Sequence, residues 1–215
     1  MSSGHTMSTE NTVSNEHAVS TEHTGFTDDT AVAGHNAFTD HTAESAPAAS
    51  RRVMTATERH LGYLPAATAR MAESPHLLDG VMTLIGTFDG CTLDPLAREV
   101  LVMTIATRNG CHLCIAMHTA RLAAMGADPE LVAGLRRGPG EPLADPRLEA
   151  IRAFTLRVLE TAGDVGGDAL GEFLARGYSP RNALEVVLGI GTYTMSTLAN
   201  RLIQAPVDDQ VAQFG

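Results

Sequence analysis

A chain of 215 residues has room for one domain with a continuous core once a polar leader is set aside. All 15 basic residues are Arg, which excludes Schiff-base chemistry and any lysine nucleophile. The formal charge of −10 is uneven, since residues 1–50 hold seven of the 25 carboxylates and no Arg; with its Arg residues scattered, the remainder offers nothing to nucleic acid or an anionic membrane.

Residues 2–43 form a degenerate hexapeptide repeat, clearest in SNEHAV, STEHTG and FTDHTA. His5, His17, His23, His35 and His41 all fall on one phase of it. Regular imidazoles suggest weak multivalent metal capture. The preferred reading is a disordered leader over 1–50, because Ser, Thr and Gly bury too little apolar surface to offset the entropy of ordering. AESAPAAS then reads as a linker into a domain at 51–215. The N-terminus lacks the basic start and apolar run of a signal peptide, and no stretch approaches the roughly 18 apolar residues needed to span a bilayer, so a cytoplasmic protein is expected.

From residue 51 the apolar spacing is three and four, and no run reads as strand, so the expected fold is all-α. The spacing predicts helices over 53–61, 66–72, 75–88, 95–107, 111–125, 129–136, 146–161, 169–176 and 180–203. Ser74-Pro75, Asp94-Pro95, Asp128-Pro129, Asp145-Pro146 and Ser179-Pro180 each put a capping side chain before a Pro at the first helical position. On the last helix Gly189, Tyr193, Ser196 and Asn200 form a small or polar line, read as helix packing ahead of a pocket border or subunit contact.

Most chemistry is concentrated between Glu99 and Gly126. Asn109-Gly110 tolerates left-handed backbone angles, so one helix stops there and another starts near Cys111. Unpaired N–H groups at a helix start favour thiolate over thiol. At 100° per residue, Cys111, Cys114 and His118 lie within about 60° of one another on one face. Cysteines three apart suit a disulfide, and His118, one turn from Cys114, is placed to take its proton. Two cysteines spaced C-x-x-C in a reducing compartment suggest redox or metal chemistry, whereas Cys91 reads as a small buried hydrophobe.

Glu99 lies on a helix that is apolar nearly all round, where a carboxylate is costly unless paired. His118 or His112 is the expected partner, and pairing with Arg98 or a helix end is the structural alternative. A carboxylate orienting an imidazole that activates a thiol is the logic of a relay triad. His60 and His76 are expected at helix surfaces, outside any site.

Glu99, eleven residues, then C-H-x-C-x-x-x-H resembles the active-site signature of the alkylhydroperoxidase D-like and carboxymuconolactone decarboxylase-like family. GYLPAATARMAESPHLL upstream and DPRLEAIRAFTLRVL downstream are similar to its longer, peroxidase-related members. The resemblance implies a single helical domain reducing alkyl hydroperoxides. Cys114 would attack the peroxide, Cys111 would resolve the sulfenic acid to a disulfide, Glu99 and His118 would relay the proton, and His112 would support by hydrogen bonding. The dipole argument alone favours Cys111 as nucleophile; the base one turn away, with the resemblance, favours Cys114. Asn200-Arg201 departs from an Asn-His pair in relatives.

The resemblance also implies a homo-oligomer and a dithiol reductant, lipoylated or thioredoxin-like, with no metal and no other cofactor. Three rivals remain at this point: zinc held by the cysteines and His118, with His112 turned about 100° away; a redox-silent lyase of the carboxymuconolactone decarboxylase type; and a disulfide-switched sensor or binding protein.

Overall fold

The computed structural model describes residues 37–215. Among them the chain forms nine α-helices, a final 3-10 turn at Asp209–Phe214 and no strand. The helices are α1 (Ala48–Leu61), α2 (Ala66–Met71), α3 (Pro75–Asp89), α4 (Pro95–Arg108), α5 (His112–Ala124), α6 (Pro129–Arg137), α7 (Pro146–Glu160), α8 (Gly166–Ala175) and α9 (Pro180–Leu202).

All five cap-proline starts form. The side chains of Ser74, Asp94, Asp128, Asp145 and Ser179 each accept a backbone N–H of the first turn, which the helix itself leaves unpaired. At Ser179 the bond is reciprocal, because Asn182 Oδ1 accepts the Ser179 backbone N–H.

The expected start of the folded part at residue 51 is corrected to an earlier position. Helix α1 begins at Ala48, and Ala46 and Ser50 are buried, with Ser50 Oγ donating to the carbonyl of Ala72 at 2.7 Å. Upstream, Asp40 pairs with Arg70 at 2.6 Å and His41 with Glu73 at 2.8 Å. The segment looked like a linker because it has no bulky apolar residue, yet small side chains are what a close approach to α2 requires. His5, His17, His23 and His35, and the repeat as far as residue 36, lie outside the described residues. Elsewhere the expected and observed boundaries agree to within a residue or two, except that α8 starts three residues early.

Helix α4 is the centre of the molecule, packing against α5, α6, α7 and α9. Every residue from Glu99 to Ala106 is buried, as its all-round apolar pattern requires. Helix α9 crosses α3 and α4 closely at Gly189, where a Cβ would stand 2.6 Å from Phe88 Cε2 and 2.8 Å from Leu101 Cδ2. Only glycine fits there, so packing accounts for this member of the small line. A second apolar cluster joins Met54, Met71 and Leu78 of α1–α3 to Leu113, Cys111, Cys114, Ala199 and Ile203. Fully burying a side chain such as Leu78 contributes about 1.5–3 kcal/mol, and this cluster walls in the two sulfurs.

Candidate active site

The break between α4 and α5 is built by backbone hydrogen bonds. Gly110 takes a left-handed φ of 62°, the Cys111 N–H reaches back to the Ala106 carbonyl, and the Gly110 N–H reaches the Thr107 carbonyl. This pair of bonds is the Schellman closure of α4. It delivers Cys111 directly as the N-cap of α5, where its Sγ accepts the backbone N–H of Cys114 at 3.4 Å.

Cys111 and Cys114 have Cα atoms 5.3 Å apart and sulfurs at disulfide distance. Both are buried, at 2% and 4% exposure. The remaining cysteine, Cys91, is half-buried with a thiol pushed up by burial, which keeps it protonated.

Behind the pair, His118 Nδ1 lies 2.7 Å from Glu99 Oε2. A carboxylate accepts only, so Nδ1 carries a proton, and Nε2 has no hydrogen-bond partner among the described residues. The Glu99 carboxylate is 3% exposed, and its other oxygen pairs with Arg121 Nε at 3.0 Å. Arg121 also reaches Asp89. Burial alone would ease the proton off Arg121, but the charges of Glu99 and Asp89 outweigh it and hold the guanidinium above its ordinary pKa. The Tyr193 ring stands edge-on to both His118 and Phe88, and burial, more than the nearby carboxylates, pushes its hydroxyl well above the usual range.

Asn200, in the last turn of α9, is 7% exposed and donates from Nδ2 to Cys114 Sγ at 3.3 Å. Arg201 is exposed and donates to the Asn109 carbonyl, fastening α9 to the end of α4. Among the described residues, no three His, Cys, Asp or Glu side chains converge as a metal site would need. A cleft of about 690 Å³ between α7 and α8, lined by Arg152, Phe154 and Phe173, contains no cysteine or histidine and stands apart from this chemistry.

With this geometry in view, the chain's likeness to known proteins becomes specific. A family model, the carboxymuconolactone decarboxylase family, matches residues 72–156, a span containing Glu99, Cys111, Cys114 and His118. The structure of an alkylhydroperoxidase D core, an uncharacterized peroxidase-related protein from Ralstonia eutropha JMP134, superposes with a TM-score of 0.72 at 16% identity, covering 81% of this chain and 93% of that one. The fold is that of the alkylhydroperoxidase D-like structures, and the match to the carboxymuconolactone decarboxylase family model covers the α3–α7 part of the chain. An uncharacterized peroxidase-related protein from Silicibacter sp. TM1040 gives a TM-score of 0.65 at 16% identity, covering 79% and 90% of the two chains. The debrominase Bmp8, in complex with 2,3,4-tribromopyrrole, gives 0.64 at 17% identity, covering 83% and 95%. No curated protein matches the chain.

Four of the five expected site residues thus come together: Cys111, Cys114, His118 and Glu99. His112 does not join them. It is exposed at the first position of α5 and makes no hydrogen bond among the described residues, because one residue's rotation from Cys111 turns it to solvent. Sequence reasoning missed Arg121, and offered Arg98 instead; Arg98 donates to the Asp89 carbonyl. The signal for Arg121 was its place three residues after His118, on the same helical face.

Proposed function

We propose that this protein is a thiol-dependent peroxidase for alkyl hydroperoxides. The observation that carries the reading is a cysteine pair at disulfide distance on the same helix as an imidazole whose Nδ1 is held 2.7 Å from a buried carboxylate. In the reduced enzyme, His118 Nε2 takes the Cys114 proton, directly or through a water. The thiolate attacks the terminal peroxide oxygen, the O–O bond breaks, and the departing alkoxide takes the proton back as alcohol. Cys114 is left as a sulfenic acid. The Cys111 thiolate then attacks that sulfur, the S–S bond forms, and the S–O bond breaks to release water once protonated. Two electrons from a dithiol donor, lipoylated or thioredoxin-like, reduce the disulfide by exchange and restart the cycle.

Steady-state consumption of cumene hydroperoxide with dihydrolipoamide tests this. Many turnovers per chain are expected. A single oxidation event without recycling would favour the disulfide-switched sensor. Bromide release from a bromopyrrole, with no peroxide turnover, would favour a reductive dehalogenase using the same dithiol.

We also propose that the protein works as a homo-oligomer in which a second copy covers α9. Leu184, Val187, Leu198 and Leu202 are exposed at 74%, 51%, 55% and 69% on one face of that helix. Gly191, on the same face, has open space where a Cβ would be, so another helix can approach closely. Leu198→Glu combined with Val187→Glu is expected to reduce the mass measured by light scattering to that of the monomer. A single chain's mass for the unaltered protein would overturn the proposal.

A further inference from the structure

We infer that Asn200 is a catalytic residue of the dithiol centre, its side-chain amide favouring the thiolate form of Cys114. The inference rests on Cys114 being the reactive sulfur. Apart from their own helix, the two sulfurs are walled by Met54, Met71, Leu78, Ala199 and Ile203. An apolar wall disfavours a thiolate. Charged and titratable groups near it are few: Cys111 beside it, His118 one turn on, Glu99 and Arg121 behind that histidine, and exposed Arg201 engaged with the Asn109 carbonyl. Among the described residues, Asn200 Nδ2 is the one side-chain donor on Cys114 Sγ, at 3.3 Å.

The other end of the same amide is unusual. Asn200 Oδ1 is buried and has no hydrogen-bond partner among the described residues. An orphaned buried carbonyl is costly in a structural residue, where Leu would fill the space without penalty. A disulfide sulfur or a thiolate only accepts, so the amide must present Nδ2 and leave Oδ1 over. When the sulfur carries a proton as thiol, half a turn about the last side-chain bond presents the carbonyl as acceptor instead. One amide therefore serves both protonation states, and it serves the anion better, because a hydrogen bond to a charged acceptor is the stronger of the two.

The test uses the full chain with Cys91→Ser and Cys111→Ser, so that Cys114 alone titrates, and follows iodoacetamide alkylation against pH. Asn200→Leu is expected to raise the Cys114 pKa by about one unit, and the isosteric Asn200→Asp to raise it further by placing a carboxylate against the thiolate. The rate of sulfenic acid formation with cumene hydroperoxide at pH 7 should fall about tenfold in step, following the thiolate fraction. A Cys114 pKa unchanged in both variants overturns the inference and leaves the peroxidase reading intact. The same shift in a protein whose parent forms no sulfenic acid upholds the inference and defeats the peroxidase reading. Should the Leu variant not fold, the Asp variant decides alone.

Discussion

Cys114→Ser is expected to abolish sulfenic acid formation and lower peroxide turnover at least about ten-thousandfold, the loss typical when a nucleophile that works as a unit with its base is removed. Cys111→Ser is expected to do something different: accumulate one sulfenic acid per chain, detectable with dimedone, and then stop. The two variants separate cleanly for a structural reason. Cys111 is the N-cap of α5, accepting the Cys114 backbone N–H, and Ser is a better cap than Cys. Loss of cycling in that variant is therefore chemical. At residue 114 a Ser oxygen can still accept from Asn200, so the buried amide keeps a partner and the fold should hold. The opposite pattern, with Cys114→Ser trapping a sulfenic acid and Cys111→Ser inert, would hand the attack to Cys111, the sulfur that sits closest to the helix dipole.

What the sequence disclosed and what it withheld divide by chain distance. The five cap-proline starts depend on neighbours within three residues, and so were legible. So was the shared face of Cys111, Cys114 and His118, which follows from helical rotation alone. Glu99 was legible as an anomaly, since a carboxylate in an all-round apolar helix must be met by something polar. Its second partner was not named, because Arg98 adjoins it in sequence while Arg121 adjoins it in space. Adjacent residues on a helix point about 100° apart, so proximity in the chain was the weaker guide. Asn200 lies 86 residues from Cys114, and its meeting with the sulfur depends on α9 crossing α4 closely, which Gly189 permits. The early start at residues 37–50 was hidden by composition: Ala46 and Ser50 are buried because they are small, and no periodic pattern of bulky residues announces that.

Glu99→Gln is expected to lower the second-order rate with hydroperoxide by about a hundredfold to a thousandfold, the range over which a positioned base contributes, while leaving the chain folded. The carboxylate has two tasks. Toward His118 it fixes Nδ1 as a protonated nitrogen, and in the proposed relay it would stabilise the imidazolium formed when Nε2 takes the thiol proton. Toward Arg121 it compensates a guanidinium that would otherwise have only Asp89. The amide retains size and one acceptor but loses the charge, so either His118 or Arg121 meets an N–H where it had an oxygen. Glu99→Ala should cost the same activity and also about 2 kcal/mol of stability, because it removes one member of a buried ion pair whose other member, Arg121, is 44% exposed and can recover water. Comparing the two variants by denaturant melts and by peroxide kinetics separates positioning from folding. Full activity in Glu99→Gln would show that the imidazole needs no oriented charge behind it, and the relay would then reduce to His118 alone.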